Sequence, residues 1–160
     1  MRIGFLDCVS NMGDVWPVAE KVFDDRLAGN SVTRATAPDL LKVPVAAKRV
    51  LQNSDVAIVF LTVAREDKDA LFLVYEKMID VELATNKYVF FAVLEEREWS
   101  RPSTIPDVAR TRLEAVAELV SLAQQGSTEI SSSIGSGVEE ATGELSVFSM
   151  FASEQNKGLL

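Results

Sequence analysis

Four short apolar segments, each followed by a stretch with helical periodicity, constrain this chain more than any other feature of its sequence. The first covers residues 2–7, and the third, residues 55–63, reads DVAIVFLTV and is nearly all apolar. A strand that lacks polar alternation is typical of a parallel sheet covered by helices on both faces. The alternation of strands and helices therefore predicts a doubly wound α/β domain.

The remaining segments follow in the same order. Residues 31–37 and 88–94 predict the second and fourth strands, because they are rich in β-branched or aromatic side chains. Apolar residues at helical spacing predict four helices, over residues 15–27, 44–52, 66–84 and 107–124. Asp14 is the expected N-cap of the first helix. We expect a flavodoxin-like three-layer sandwich with a four-stranded parallel sheet and helices on both faces.

The composition of the chain changes after residue 125. Residues 126–160 contain five of the eight glycines, a run of three serines and mostly acidic charges. We therefore expect residues 1–125 to form the α/β domain and residues 126–160 to form a flexible C-terminal tail. An apolar patch in this tail, residues 145–151, either docks on the domain or on a neighbouring subunit, or stays disordered.

Charge and residue usage narrow the range of functions. The net charge is −8, and the 16 basic residues are scattered among 24 acidic ones, so a nucleic-acid surface is not expected. The chain has no histidine and one cysteine, which argues against an intramolecular disulfide and against zinc of the usual kind. The start of the sequence does not resemble a signal peptide, and no apolar run approaches about 18 residues. We expect a cytoplasmic protein with no membrane partner.

Candidate ligand groups follow the carboxyl ends of the strands, where open parallel sheets bind ligands. The loop after the first strand has neither a dinucleotide fingerprint nor a nucleotide P-loop. Arg65 and Lys68, after the third strand, are candidate ligands for an anion or a carbonyl group, or else part of a solvated, charge-mixed helix start. Tyr75 is either a buried aromatic or a hydroxyl that reaches a ligand. Cys8 has no histidine to activate it and is interpreted as a small buried hydrophobe.

Several pieces of the sequence together resemble the lumazine synthase superfamily, and most closely its archaeal riboflavin synthase branch. The matching pieces are residues 2–7, 36–38, 43–46 with Lys48, 54–59, Glu76, and 85–89. Their order and spacing hold over roughly residues 2–125. The resemblance implies a flavodoxin-like fold, a homo-oligomer in the form of a pentamer with active sites between neighbours, and a ribityl-pteridine type of substrate.

The resemblance also implies a reaction, in which two molecules of 6,7-dimethyl-8-ribityllumazine become riboflavin and a pyrimidinedione with the help of a divalent cation such as Mg²⁺. The predicted catalytic residues are Lys42, Arg65, Tyr75 and Glu76. The predicted substrate-binding residues are Ser10, Asn11, Pro38, Asp39, Leu40, Thr62, Val63 and Lys68. Lysine and arginine are expected to polarise the pyrimidine carbonyls, while Asp39 or a bound hydroxide takes a proton from the acidic lumazine methyl group. No residue is assigned to a metal.

The sequence departs from the family pattern at positions expected in the site. Ser10 stands where a ring-stacking aromatic is usual, and Tyr75 aligns with a histidine. After the second strand, Asp39 replaces a glycine and Lys42 replaces an acid. Two further hypotheses therefore stand beside a riboflavin synthase-like transferase. One is a non-catalytic or re-purposed paralogue that binds a flavin-like or lumazine-like ligand or acts as an oligomeric assembly protein, and the other is an unrelated flavodoxin-like enzyme.

Overall fold

The computed structural model describes residues 1–8, 13–98 and 101–133. Its sheet has four strands, all parallel, in the order β2-β1-β3-β4. The strands are β1 Arg2–Cys8, β2 Ser31–Ala37, β3 Val56–Val63 and β4 Val89–Glu95. The helices are α1 Trp16–Arg26, α2 Val43–Leu51, α3 Lys68–Thr85 and α4 Ile105–Ser133, with short 3₁₀ turns at Leu40–Lys42, Arg65–Asp67, Glu96–Glu98 and Pro102–Thr104. The predicted flavodoxin-like α/β fold is confirmed.

Each face of the sheet is covered by two helices. On one face, Phe5 of β1 is fully buried in a cluster with residues of α1 and α4. On the other face, Leu6 packs with residues of α2 and α3. Helix α2 approaches β1 closely at Gly4, where an added Cβ would lie 1.9 Å from Cγ1 of Val50. Glycine is therefore required at this position by packing, since even alanine would push α2 away from the sheet.

Two details at helix ends differ from the predictions. Helix α4 continues to Ser133, beyond the predicted end at Gln124. A single glycine in a helix costs only about 1 kcal/mol relative to alanine, so Gly126 does not end it. Asp14 is not the N-cap of α1, because Val15 takes that position. Instead, Oδ1 of Asp14 accepts a hydrogen bond from the Trp16 N–H at 3.0 Å.

The chain divides into two units. The first, Met1–Ser127, contains the whole sheet. In the second, Thr128–Leu160, residues 128–133 are helical, and the apolar patch at residues 145–151 lies outside the described residues. The boundary after residue 125 and the flexible tail stay predictions. Within the described ranges, every helix is too short or too polar to cross a lipid bilayer.

Candidate functional site

The carboxyl ends of the strands lie along one edge of the sheet, because all four strands run in the same direction. In the strand register, Cys8 at the end of β1 pairs with Ala37 of β2. Val63 at the end of β3 likewise pairs with Glu95 of β4. The residues that follow these ends line hollows on the surface, as expected for an open parallel sheet.

The first hollow, cleft A, has a volume of about 540 Å³, within the size range of small-molecule sites. It is lined by Cys8, Pro38, Asp39, Leu40, Leu41, Lys42, Thr62, Asp67 and Ala70. Five of the predicted site residues are among them, namely Pro38, Asp39, Leu40, Lys42 and Thr62. The structure therefore brings together the predicted residues that follow β2 with one residue of β3.

Asp39 shapes cleft A through the backbone. It is extended, with φ −154° and ψ 168°, and caps the 3₁₀ turn Leu40–Lys42. Its Oδ1 accepts a hydrogen bond from the Lys42 N–H at 3.0 Å. Pro44 then lies in the first turn of α2, where the missing N–H costs nothing. This local sequence fixes the turn and leaves the side chain of Lys42 exposed at the cleft.

Cys8 lines cleft A although it was not a predicted site residue. Its side chain is half-buried, and burial raises the pKa of the thiol, as do the charges of Asp39 and Asp7. Only the thiolate is a strong nucleophile. At neutral pH, Cys8 therefore contributes packing and a weak S–H donor to the cleft.

The second hollow, cleft B, has a volume of about 600 Å³ and lies among α3, β4 and α4. Its lining is Lys68, Leu71, Phe72, Tyr75, Phe91, Val93, Glu95, Arg97, Glu98, Arg112, Ala115, Val116 and Leu119. Of these, Lys68 and Tyr75 were predicted site residues. A smaller hollow of about 490 Å³ shares Lys68 with cleft B and is also lined by Val63 and Arg65, so three predicted residues meet there.

Tyr75 packs on the wall of cleft B. Its ring meets Phe91 edge to face, with ring centroids 4.8 Å apart and planes at 81°. Such aromatic pairs contribute about 1 kcal/mol beyond burial. Burial raises the pKa of the Tyr75 hydroxyl, and the charge of Glu95 raises it further. At neutral pH the hydroxyl is therefore neutral, so it can donate a hydrogen bond but cannot act as a base.

Charged side chains border cleft B in pairs. Oε2 of Glu95 lies 3.4 Å from Nζ of Lys68 and 3.0 Å from Nε of Arg97. Glu98 pairs with Arg112 and accepts a hydrogen bond from the Glu95 N–H at 2.8 Å. Burial alone would raise the pKa of Glu98, but the Glu95 N–H and Arg112 together lower it. The two carboxylates therefore hold three cationic groups around the cleft.

Several predicted residues do not share a cleft. Lys42 lines cleft A, whereas Tyr75 lines cleft B. Glu76 follows Tyr75 in sequence, but it lies about 100° further around the helix. Its side chain is 71% exposed and lies 3.8 Å from Nζ of Lys77. Ser10 and Asn11 lie outside the described residues.

Sequence reasoning missed most of cleft B. Phe91, Arg97, Glu98 and Arg112 line it, and none of them was predicted. The position of Arg97 and Glu98, just after β4, was an available signal because they follow the carboxyl end of a strand. Arg112 gave no such signal, since a charged residue on an amphipathic helix usually faces solvent.

The residues that the structure describes contain no cluster of three His, Cys, Asp or Glu side chains that could hold a metal ion. Cleft A contains two carboxylates, Asp39 and Asp67, and one oxygen of Asp39 already accepts a backbone hydrogen bond. The predicted magnesium requirement stays a prediction, and we assign no step to it.

Comparison with known proteins places the chain in a family. No family model matches the sequence. A riboflavin synthase from Aeropyrum pernix is 30% identical to it over 142 residues, which cover 86% of this chain and 92% of that protein. An alignment of this extent spans nearly the whole relative and not a shared fragment. The chain therefore belongs to the riboflavin synthase family represented by the Aeropyrum pernix protein.

Proposed function

We propose that this protein acts in riboflavin biosynthesis as a riboflavin synthase-type transferase, converting two molecules of 6,7-dimethyl-8-ribityllumazine to riboflavin and a pyrimidinedione. The observation that carries the proposal is the similarity to a riboflavin synthase over 92% of that protein. The reaction consumes two copies of one heterocycle. Each of the two clefts, at about 540 and 600 Å³, has the volume of a small-molecule site.

The proposed proton transfer takes place in cleft A. Asp39 is the base that takes a proton from the acidic methyl group of the lumazine, and Lys42 stabilises the negative charge that develops on the ring carbonyls. The hydrogen bond from the Lys42 N–H holds the Asp39 carboxylate in one orientation. A base with a fixed orientation loses less entropy when the substrate binds.

Cleft B supplies groups that bind a planar ring with polar edges. Phe91 and Tyr75 offer aromatic surface, and the neutral Tyr75 hydroxyl offers a hydrogen-bond donor. Lys68 and Arg97, held by Glu95, offer donors to carbonyl oxygens. In this proposal, Tyr75 binds and orients the ring and does not carry protons.

We also propose that the protein is a homo-oligomer, with a pentamer as the expected state and active sites between neighbours. Phe72, Ile79 and Leu83 of α3 are 73%, 56% and 78% exposed. They recur at intervals of seven and four residues, which places them on one face of the helix together with Glu76. An exposed apolar face of this kind is typical of a protein interface. In an oligomer, Glu76 would therefore face a neighbouring subunit.

The enzymatic proposal is tested by incubating the purified protein with 6,7-dimethyl-8-ribityllumazine, with and without Mg²⁺, and following riboflavin by absorbance and chromatography. We expect riboflavin and the pyrimidinedione in equal amounts. A preparation that binds the lumazine but forms no riboflavin under either condition would overturn the transferase proposal.

The second candidate function is ligand binding without turnover. The observation that favours it is that the sequence departs from the family pattern in the expected site, with Ser10 in place of a ring-stacking aromatic and Tyr75 in place of a histidine. Quenching of flavin or lumazine fluorescence in the absence of product would support this function. Quenching together with product formation would exclude it.

Native mass spectrometry tests the oligomer and reports any ligand carried with it. We expect five subunits for the wild-type protein and smaller species for Ile79→Asp, which places a charge on the apolar face. Lys77→Ala, on the same helix but off this face, is the matched control. A stable wild-type monomer would overturn the proposal of sites between neighbours.

A further inference from the structure

Strand β4 lies at one edge of the sheet, and the direction of its backbone groups follows from one hydrogen bond to β3. The Ala57 N–H donates to the carbonyl oxygen of Tyr88, just before β4, at 3.1 Å. In a parallel ladder, alternate residues of an edge strand bond to the neighbouring strand. The even-numbered residues of β4 therefore bond to β3, and the N–H and C=O groups of the odd-numbered residues point away from the sheet.

Side chains of the protein itself close both ends of this edge. Oε1 of Glu82 accepts the Val89 N–H at 2.7 Å. At the other end of the strand, Oε2 of Glu98 accepts the Glu95 N–H at 2.8 Å. Both N–H groups belong to odd-numbered residues, as the alternation requires, and the open part of the edge is the middle of β4.

The open part of the edge consists of Phe91 and Val93. Both residues line cleft B, and their N–H groups have no hydrogen-bond partner among the described residues. An edge strand with unpaired N–H and C=O groups is a template for pairing with another extended chain. Two such residues supply two donors and two acceptors, which is the main-chain pattern used in β-strand addition.

The two edges of the sheet differ in their surroundings. Along β2, the exposed side chains are polar or charged and include Thr33, Arg34 and Thr36, and such edges discourage pairing. Along β4, cleft B places Phe72 of α3 and Leu119 of α4 beside the open backbone groups, and these side chains are 73% and 51% exposed. Exposed apolar side chains around an open strand edge are typical of an interaction site.

The charges around cleft B indicate which extended chain it would accept. Its lining contains three cations, Lys68, Arg97 and Arg112, and two carboxylates, Glu95 and Glu98, so its net charge is +1. The whole protein has a net charge of −8. Cleft B is therefore a positive site on an acidic protein, and an acidic group on a partner would complement it.

We propose that cleft B binds an extended, acidic peptide segment of a partner protein, which adds to the β4 edge as a fifth strand. Its main chain pairs with Phe91 and Val93. Its side chains alternate between the two faces of the sheet, so one set contacts Phe72 and the other contacts Leu119. A bound strand would cover the walls of cleft B and exclude a planar ring from it. The inference goes beyond the proposed function and does not rest on it, since peptide binding is measured without turnover.

The probe is a synthetic peptide, fluorescein-Glu-Thr-Val-Thr-Val-Thr-amide, and its binding to the full-length protein is followed by fluorescence anisotropy. We expect saturable binding with a Kd of about 10 to 100 µM, because the contact is short and the peptide is flexible. Two methylated forms carry N-methyl groups either on both valines or on the first two threonines. Alternate N–H groups of a strand point in opposite directions, so one methylated peptide is expected to bind about tenfold more weakly and the other about as well as the parent.

The matching change in the protein is Val93→Pro. It removes an N–H that points away from β3, and proline is tolerated at such a position of an edge strand. Binding is expected to weaken by about tenfold. Val93→Ala keeps the N–H and controls for the side chain. Thr36→Pro is the control for a proline in an edge strand, because the Ser31 N–H donates to the Met1 carbonyl oxygen and the N–H of Thr36 therefore points outward from β2.

Each outcome decides the inference. Binding that depends on one set of peptide N–H groups and is weakened by Val93→Pro, but not by Val93→Ala or Thr36→Pro, supports it. No binding to the wild-type protein, equal Kd values for the two methylated peptides, or equal binding by Val93→Pro and Val93→Ala overturns it. Absent peptide binding with fewer subunits for Val93→Pro in native mass spectrometry would assign the edge to a second copy of the chain and also overturn it. If circular dichroism shows that Val93→Pro does not fold, the methylated peptides still decide, since they act on the wild-type protein.

Discussion

Cleft A and cleft B are of similar size but are built in different ways. Cleft A takes five of its nine lining residues from the continuous segment Pro38–Lys42, whose turn is fixed by a backbone hydrogen bond to Asp39. Cleft B takes its lining from α3, β4, the turn Glu96–Glu98 and α4, and its polar groups are held by ion pairs between side chains. A local turn specifies the first cleft, whereas tertiary packing specifies the second.

This difference suggests separate roles that substitutions can test. In the proposed reaction, cleft A contains the base and a cation, and cleft B binds a ring. Loss of a group from cleft A is therefore expected to lower kcat by a large factor. Loss of a group from cleft B is expected to affect binding and rate more modestly.

The largest expected effect follows Asp39→Asn. Asparagine caps a helical turn as well as aspartate does, so the free energy of unfolding is expected to stay unchanged. The variant lacks the base, so kcat is expected to fall by a factor of about 10² to 10³. Steady-state kinetics and chemical denaturation measure the two quantities.

Asp39→Ala sharpens this test, because it removes the cap together with the base. It is expected to lose about 1 kcal/mol of stability as well as the activity. Asp24→Ala, an exposed position on α1, is the control for loss of a carboxylate. Full activity in Asp39→Asn would assign the proton transfer to another base, such as a bound hydroxide.

Lys42→Met is expected to lower kcat/KM by about 100-fold, since it removes a charged group that stabilises developing negative charge. Because Lys42 is exposed, the free energy of unfolding is expected to change by less than about 0.5 kcal/mol. Lys48→Met, on the exposed side of α2, is the control. Equal kcat/KM values for Lys42→Met and Lys48→Met would show that Lys42 takes no part in the reaction.

Tyr75→Phe is expected to lower kcat/KM by about tenfold, because it removes one hydrogen bond worth about 1.4 kcal/mol and keeps the contact with Phe91. The only other tyrosine, Tyr88, is 62% exposed, so Tyr88→Phe is a matched control. A loss in Tyr75→Phe as large as that in Asp39→Asn would contradict the separate roles of the two clefts.

The sequence was sufficient to predict the fold, because its signals are local. The nearly all-apolar run of β3 and the alternation in β2 are visible within eight residues, and predicted and observed strands agree to within about one residue. The end of α4 was not predictable from Gly126, because the cost of one glycine is smaller than the stability of a long helix. The residue at which a helix ends therefore depends on the sum of several small free energies, and no single residue determines it.

The candidate site was predictable in part, for the same physical reason. Pro38 to Lys42 lie together in sequence and remain together in space. Phe91 and Arg112 are 21 residues apart and meet in cleft B only because α4 packs beside β4. Glu76 and Tyr75 are adjacent in sequence but do not meet in space. Consecutive residues of a helix lie about 100° apart, so their side chains are on different faces.

The smallest expected effect concerns the ion pairs of cleft B and their dependence on pH. The pKa of Glu98 is lower in the folded protein than its ordinary value of about 4.3. The folded state therefore binds fewer protons than the unfolded state in this range. The stability contributed by Glu98 is present above the unfolded pKa and is lost as the pH falls through the lower folded pKa.

Glu98→Gln is therefore expected to cost up to about 1 kcal/mol at pH 7, because Arg112 is half exposed and solvent weakens the pair. The difference from the wild-type protein is expected to shrink as the pH falls from 7 towards the lowered folded pKa of Glu98. Urea denaturation at pH 7, 5 and 3 measures it, with Glu118→Gln on the exposed side of α4 as the control. A difference that persists unchanged at pH 3 would mean that Glu98 supports cleft B by shape and hydrogen bonding, not by its charge.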